Sequence, residues 1–223
     1  MPVAAHIFRE YDIRGLVDTE LTPEVCEDVG RVYATSAYRD LGQPPLIAVG
    51  QDNRPSSPAL AEGLIRGLTN SGADVMDIGT VPTPTLYWAE KTLRADGAIQ
   101  ITGSHNPPEW NGIKMTLTGM SVYGDRIQEI KRGILGGEFR EGSGIRERVD
   151  VLDRYVADLA GRFDLSRPVK VVLDCGNGVG SLVGVELLEA LGAEVVPLYC
   201  ESDGTFPNHH PDPTVDENLV DLI

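Results

Sequence analysis

Three short apolar runs, separated by two helix-like segments, constrain the fold of this chain most strongly. The runs at residues 45–49, 73–78 and 97–101 are mainly apolar, and polar or glycine-containing loops follow them. Between them, residues 59–69 and 86–93 repeat their apolar side chains at helical spacing. An alternation of strands and helices is typical of an α/β fold, in which helices cover a largely parallel sheet.

A second α/β pattern follows a glycine-rich stretch, residues 136–144, which we interpret as a linker. The later segments comprise a helix at 151–163, a strand at 169–173, a helix at 181–191 and a strand at 194–199. We therefore predict a three-layer α/β/α domain with a mixed, mostly parallel sheet over residues 1–140. An incomplete second α/β domain is predicted over residues 150–223. Because a helix has only begun when the sequence reaches Ile223, we expect this chain to be the N-terminal part of a longer protein.

The acidic composition narrows the range of partners. The chain has 34 Asp and Glu residues against 19 Lys and Arg residues, a formal net charge of −15, which argues against broad binding to nucleic acid or anionic membranes. The opening residues lack a signal-peptide pattern, and no apolar run approaches the roughly 20 residues of a membrane span. The cysteines Cys26, Cys175 and Cys200 are too far apart to indicate a disulfide framework or a zinc knuckle. We therefore expect a reduced, cytoplasmic protein that acts on a small molecule, and the sequence predicts no oligomeric state.

The segment best suited to chemistry is residues 102–114, TGSHNPPEWNGIK, directly after the third apolar run. Ser104 lies just past the predicted strand and is followed by His105, Asn106 and two prolines that stiffen the turn. A serine hydroxyl is a weak nucleophile unless another group assists it, and a polar turn without chemical function fits the spacing equally well. A serine hydrolase is disfavoured because its G-x-S-x-G elbow needs glycine where Thr102 and Asn106 stand.

Several motifs together resemble those of the α-D-phosphohexomutases, the phosphomannomutase/phosphoglucomutase group. The segment TGSHNPPEWNGIK is similar to the active-serine loop of that family, and FREYDIRG at residues 8–15 is similar to its opening motif. The segments GQDNR, VPTPTLYWA, DCGNGVGS and LYCESDGTFPNHHPDPTVDENL also match, in the family's order. The resemblance covers essentially the whole chain, and it departs at Gln51, where the family pattern has arginine.

This resemblance implies a phosphohexomutase that moves phosphate between O1 and O6 of a hexose phosphate, with mannose or glucose as the sugar. Ser104 would carry the transferable phosphoryl group, and a hexose bisphosphate would be the intermediate and activator. Arg14 and Lys114 match family residues that offset the charge of the phosphate. His105 matches a candidate proton-transfer residue, although a structural role for its ring stays equally open.

Supporting residues and a metal are implied in the same way. Tyr11 matches an active-site neighbour, Asn106 would hold the serine loop, and Arg54 would support the loop of Arg14. The family binds Mg²⁺ through the serine phosphate and an acidic loop, D-G-D-x-D-R, which does not occur in this sequence. We therefore expect the carboxylate ligands beyond Ile223, and we expect residues 1–223 alone to be catalytically inactive.

Other interpretations remain open at this point. Residues 176–181, GNGVGS, lie between a predicted strand and a helix, as a dinucleotide-binding loop does, and Glu201 lies about where a ribose-binding acid would be. Ser181 stands where the third glycine of that fingerprint is required. A non-catalytic remnant that binds sugar phosphate is the other alternative. His209, His210 and Asp212 invite a metal site, but adjacent side chains in an extended segment diverge, which favours a structural loop.

Overall fold

A computed structural model describes residues 3–137 and 139–223. Its strands are β1 (Ile13–Leu16), β2 (Leu46–Gln51), β3 (Asp74–Thr80), β4 (Gly97–Ile101), β5 (Trp110–Leu117), β6 (Met120–Ser121), β7 (Arg146–Arg148), β8 (Lys170–Asp174) and β9 (Glu194–Leu198). Its α-helices are α1 (Pro23–Leu41), α2 (Ser57–Asn70), α3 (Thr83–Thr92), α4 (Asp125–Gly136), α5 (Leu152–Ala160) and α6 (Gly184–Ala190). Short 3₁₀ helices occupy Ala5–Ile7, Val179–Leu182 and Asp216–Leu219.

The first seven strands form one mixed sheet in the order β1-β5-β4-β2-β3-β7, with β6 paired to β5. Strands β4, β2, β3 and β7 run parallel, whereas β5 is antiparallel to both of its long neighbours. Apolar side chains of α1, α2 and α4 pack on one face, and those of α3 pack on the other around Leu86 and Ala89. The predicted three-layer arrangement is confirmed. Strands β8 and β9 form a separate parallel pair.

In the first predicted domain, the apolar runs and helical segments named from the sequence overlap regular elements, with Pro45, Ala73 and Leu93 just outside them. The helix predicted over residues 151–163 is confirmed only over Leu152–Ala160. The run at 97–101 coincides with β4, and the first two runs fall in β2 and β3. The structure adds α1, α4 and β5, which the sequence analysis left unassigned. Residues 110–114 were predicted as loop, but they begin β5, because β1 and β4 pair with its two edges and satisfy its backbone groups.

Where it is described, the predicted linker is hydrogen-bonded to the C-terminal end of α2; Glu138, within that stretch, lies outside the described residues. The backbone N–H groups of Gly142 and Gly144 donate to the carbonyls of Asn70 and Thr69, at 2.9 and 2.8 Å. Strand β7 then pairs with β3. The residues between the two predicted domains therefore extend the first sheet, and the domain boundaries themselves stay a prediction.

The single helix predicted over residues 181–191 is interrupted. A 3₁₀ turn ends at Leu182, Val183 adopts φ −137°, and α6 begins at Gly184. Glycine at 180 and 184 lowers helix propensity at this junction, which explains the break. None of the helices in the described part of the chain combines the length and apolarity needed to cross a membrane.

Glycines allow α1 and α2 to approach closely. A Cβ atom added at Gly67 would overlap the backbone carbonyl of Glu27, and one at Gly63 would overlap that of Pro23. A Cβ at Gly30 would likewise overlap the carbonyl of Leu64. Because the obstructing atoms are backbone rather than flexible side chains, the two helices would have to separate to accept a methyl group.

We expect Gly67→Ala to lower the free energy of unfolding by about 1–3 kcal/mol, the usual range for overpacking. The loss should outweigh the gain of about 1 kcal/mol that alanine brings to a helix interior. Urea denaturation followed by circular dichroism measures the difference. Gly180→Ala is the control, because its Cβ would meet open space, and we expect a change within about 0.5 kcal/mol. A Gly67→Ala protein as stable as the original would contradict the close approach.

Candidate active site

Ser104 lies at an exposed turn between β4 and β5, immediately beyond the carboxyl end of β4. Its backbone has φ 56°, a left-handed conformation that costs a non-glycine residue of order 1–3 kcal/mol. The Ser104 N–H donates to Thr102 Oγ1 at 2.9 Å, and the side-chain amide of Asn106 donates to the Gly103 carbonyl at the same distance. The turn is therefore held rigidly while the Ser104 hydroxyl faces solvent.

His105 is the side chain next to the Ser104 hydroxyl. Its Nδ1 atom lies 3.3 Å from Ser104 Oγ, and both residues are exposed. The distance is longer than a typical hydrogen bond between oxygen and nitrogen. The imidazole is nevertheless close enough to the Ser104 hydroxyl to exchange a proton with it after a small movement.

Arg54 holds this turn from below, and its guanidinium is fully buried, with 1% of the residue exposed. Its Nη2 donates to the carbonyls of Ser104 and Asn106, at 2.9 and 2.6 Å. Its Nη1 donates to those of Pro107 and Trp110, at 2.6 and 3.2 Å. The sequence analysis expected Arg54 to support the loop of Arg14, but these hydrogen bonds go to the serine loop.

Asp52 neutralises Arg54 and completes the support, a role that the sequence analysis missed. Its carboxylate accepts from Arg54 Nε at 3.1 Å and from the Gly103 N–H at 3.0 Å, and it also accepts from the Ser57 hydroxyl. Burial lowers the pKa of Arg54, and the adjacent Asp52 carboxylate opposes that shift. A Cβ at Gly103 would overlap the Arg54 guanidinium, so this packing requires glycine immediately before the serine.

Arg14 and Lys114 lie on β1 and β5, the two strands next to each other at this edge of the sheet. Arg14 pairs with Gly112 across the β1–β5 ladder, so Lys114, two residues further along β5, is its diagonal neighbour on the same face, roughly 7–8 Å away. Arg14 is buried and donates to the Gly103 carbonyl at 3.0 Å and to Asp12 at 2.6 Å. These hydrogen bonds use two of its five N–H groups. Arg14 is thus hydrogen-bonded to the serine loop, whereas Lys114 lies on the same face of the sheet beside Gln100 of β4, the strand that leads into the loop.

A cavity of about 380 Å³ adjoins Lys114. Tyr11 lines it together with Asp12, and the Tyr11 side chain is 76% exposed, so a ligand can reach it from solvent. A larger cavity of about 570 Å³ lies beyond, at the end of α3, and shares Tyr87 with the first. Of the residues predicted from the sequence, Lys114 and Tyr11 line the smaller cavity, whereas Ser104, His105 and Arg14 line neither of the two.

The chain beyond residue 170 contacts the loop that carries Arg54. Asn53 Nδ2 donates to the Asn177 carbonyl at 2.8 Å and to Ser202 Oγ at 3.0 Å. The ring of Phe206 lies 5.0 Å from the Arg54 guanidinium, a cation–π contact. The support of the serine loop therefore includes residues from both halves of the chain.

In the glycine-rich turn after β8, the polar groups are hydrogen-bonded to other residues of the chain. Asn177, with φ 57°, donates from its side chain to the Glu201 carbonyl at 2.9 Å and accepts from Asn208 Nδ2 at 2.8 Å. Its backbone N–H donates to the Tyr199 carbonyl at 2.8 Å. These partners account for a buried asparagine at this turn without a bound nucleotide.

His209 also has a structural set of contacts. Its Nε2 atom lies 3.1 Å from Asp174 Oδ2, and its ring meets that of Tyr199 edge-on at 5.4 Å. The hydrogen bond to the His210 carbonyl raises the pKa of His209, with a further contribution from Asp174. These contacts support the interpretation of this segment as a structural loop.

The residues present do not form a complete magnesium site. Across residues 3–137 and 139–223, no group of three or more His, Cys, Asp or Glu side chains is arranged to hold a metal ion. A phosphate on Ser104 would supply one oxygen ligand, whereas Mg²⁺ prefers near-octahedral oxygen coordination. The Asp52 carboxylate, in the support of the serine loop, is already engaged with Arg54 and with the Gly103 N–H group.

Asp52, Thr102 and Asn111 are the supporting residues that sequence reasoning overlooked. The side chain of Asn111, fully buried, donates to the hydroxyls of Ser56 and Ser57 at 2.9 Å. A signal for Asp52 was available, since a carboxylate two residues before an arginine can pair with it locally. Thr102 and Asn111 carry no such signal, because their partners are set by the turn and by the sheet.

Models of a known family match most of the chain. The model described as phosphoglucomutase/phosphomannomutase, alpha/beta/alpha domain I, matches residues 5–141, and the domain II model matches residues 153–223. A phosphomannomutase/phosphoglucomutase of Pseudomonas aeruginosa is 46% identical over 98% of this chain and 47% of its own length. A phosphoglucomutase of Neisseria gonorrhoeae is 42% identical over 99% of this chain and 48% of its own length.

A solved structure of the same family has the same fold as this chain. A phosphoglucomutase/phosphomannomutase family protein of Burkholderia thailandensis superposes with a TM-score of 0.94 at 42% identity, covering 99% of this chain and 50% of that one. The chain spans about half the length of the curated relatives that it matches.

Proposed function

The chain belongs to the phosphoglucomutase/phosphomannomutase family, and on that premise we propose that Ser104 carries the phosphoryl group of a hexose-phosphate mutase. The observation that carries the proposal is the rigid turn that presents the Ser104 hydroxyl to solvent above Arg54, with Arg14 bonded to the same turn. The names of the relatives support mannose and glucose phosphates as substrates.

In the proposed reaction, the Oγ–P bond of phosphorylated Ser104 breaks while a hydroxyl oxygen of a hexose phosphate bonds to phosphorus. The hydroxyl proton passes to a base, and a hexose bisphosphate results. The sugar then returns its other phosphoryl group to Ser104 Oγ, so that phosphate has moved between O1 and O6. Phosphoryl transfer requires little covalent chemistry from the protein. Catalysis therefore depends mainly on positioning the reacting groups and on stabilising their charge.

Each predicted side chain has a role in the proposed reaction that its position supports. Arg14 and Lys114 offset the charge of about −1.5 to −2 on a phosphoserine. His105, 3.3 Å from Ser104 Oγ, exchanges a proton with that oxygen. Tyr11 lines the sugar side of the cavity. Asn106 and Arg54 fix the turn.

A single phosphoryl transfer to the serine tests the proposal, and it does not require the complete mutase turnover that we expect residues 1–223 alone to lack. We expect ³²P-labelled glucose 1,6-bisphosphate, supplied with Mg²⁺, to phosphorylate the purified chain at one residue, and we expect peptide mapping to locate the label at Ser104. Labelled ATP serves as the control for non-specific transfer and should leave the chain unlabelled. Label on another residue, or none from the bisphosphate, would contradict the assignment of Ser104.

A further inference from the structure

Two cysteines that are far apart in the sequence meet at the ends of β8 and β9. Cys175 follows β8, Cys200 follows β9, and their Sγ atoms lie 2.8 Å apart. Both are free thiols and both are half-buried, whereas Cys26 is fully buried in the core of the first domain. The spacing of the three cysteines predicts no disulfide framework, and all three are free thiols in the structure, but the spacing gives no sign that Cys175 and Cys200 lie side by side.

The backbone fixes the two thiols at this separation. Asp174 and Leu198 are register partners in the parallel ladder, so the chain leaves both strands at the same edge. The Cys175 N–H donates to the Leu198 carbonyl at 3.0 Å, and the Cys200 thiol faces the Leu198 carbonyl at 3.3 Å. The pair therefore belongs to the end of the ladder and not to a mobile loop.

We propose that Cys175 and Cys200 are an oxidation site, at which a peroxide or a low-molecular-weight disulfide converts the two thiols into an intramolecular disulfide. A disulfide has an S–S distance of about 2.04 Å, so roughly 0.8 Å must be closed from the present 2.8 Å. Closing this distance is the movement that the proposal requires of the two side chains. Neither the family nor the proposed mutase chemistry requires this site.

With hydrogen peroxide the reaction balances in two steps. The Cys200 sulfur attacks one peroxide oxygen, which gives a sulfenic acid on Cys200 and releases water. The Cys175 sulfur then attacks the Cys200 sulfur, the S–S bond forms, and a second water leaves. Two electrons pass from the two sulfurs to the peroxide, and the two thiol protons end in water.

The environment of the thiols sets the order of these steps. Burial, with a contribution from the neighbouring Cys200 sulfur, raises the pKa of Cys175 to about 12, so Cys175 stays protonated near neutral pH. Because a thiol with a raised pKa is the poorer nucleophile, the first attack on the oxidant falls to the Cys200 sulfur, and the Cys175 thiol gives up its proton as it resolves the intermediate. The oxidant does not reach the Cys26 thiol, because Cys26 is fully buried in the core.

The disulfide would join two segments that both contact the loop of Arg54. Asn177 lies two residues after Cys175, and Ser202 lies two residues after Cys200. Both accept a hydrogen bond from the side-chain amide of Asn53. Oxidation would therefore restrain the side of the second domain that faces the support of the serine loop.

The experiment is a thiol count on the reduced, purified chain after treatment with a stoichiometric amount of hydrogen peroxide. We expect the loss of two of the three thiols, a mass decrease of about 2 Da for one disulfide, and a non-reducing peptide map that joins the peptides of Cys175 and Cys200. Dithiothreitol should restore all three thiols. Cys26→Ser should form the same disulfide and lose both of its remaining thiols.

Two further variants make the test independent of folding defects. Cys175→Ser should leave Cys200 as a sulfenic or sulfinic acid, with a mass increase in place of the decrease, and Cys200→Ser should keep Cys175 and Cys26 reduced. The proposal fails if the native chain gains oxygen at Cys200 without an S–S bond, forms only disulfide-linked dimers, or keeps three thiols. It also fails if Cys26 enters the disulfide.

Discussion

Ser104→Ala is expected to abolish phosphoryl uptake from hexose bisphosphate, with labelling reduced to the background of the assay. The hydroxyl is the proposed phosphoryl acceptor, and alanine offers no oxygen in its place. Little stability should be lost, because Ser104 Oγ is exposed and makes one long contact with His105 at 3.3 Å. We expect the free energy of unfolding to change by no more than about 0.5 kcal/mol.

Ser104→Gly separates the chemistry from the conformation. Glycine adopts positive φ without steric cost, so it should stabilise the turn at φ 56° while removing the hydroxyl. We expect a protein at least as stable as the original that takes up no phosphate. Ser166→Ala, at another exposed serine, is the matched control and should label normally. Retained uptake in either Ser104 variant would move the phosphoryl group to another residue.

Arg54→Ala should have the largest effect on stability of any substitution near the site. It would leave the Asp52 carboxylate buried without its cationic partner, together with four backbone carbonyls that Arg54 now satisfies. Removing one partner of a buried ion pair typically costs about 3–5 kcal/mol. Phosphoryl uptake should fall as well, because the turn that orients Ser104 loses its main support.

The measurement pairs urea denaturation with hydrogen exchange of the serine loop under native conditions. Arg54→Lys keeps the charge but cannot reach four carbonyls at once with a single ammonium group, so it should preserve the global fold and still accelerate exchange at residues 104–106. Arg66→Ala is the control, since Arg66 makes a partly exposed pair with Glu27 at 2.7 Å and should cost no more than about 1 kcal/mol. Slow exchange in Arg54→Lys would contradict the positioning role.

Much of the framework could be predicted because it depends on local properties. The apolar run at 97–101 forms β4 with the same bounds, since its side chains are buried wherever the strand is placed. Strand β5 escaped notice because its backbone is satisfied only by β1 and β4 together. In addition, its polar residues Asn111 and Lys114 make the apolar pattern of a strand hard to recognise in the sequence. Helix α1 requires a tertiary partner in the same way, since glycine contacts set its distance from α2.

The sequence by itself determined the fold class, the position of the serine loop and the kinds of side chain available for phosphate chemistry, because periodicity and residue type are properties of the local chain. Only the tertiary structure decided which groups meet. Arg54 reaches the serine loop across about 50 residues because β2 and β4 are neighbours in the sheet. Cys175 and Cys200 face each other because β8 and β9 end in register. Such contacts depend on strand order and register, which no local pattern encodes.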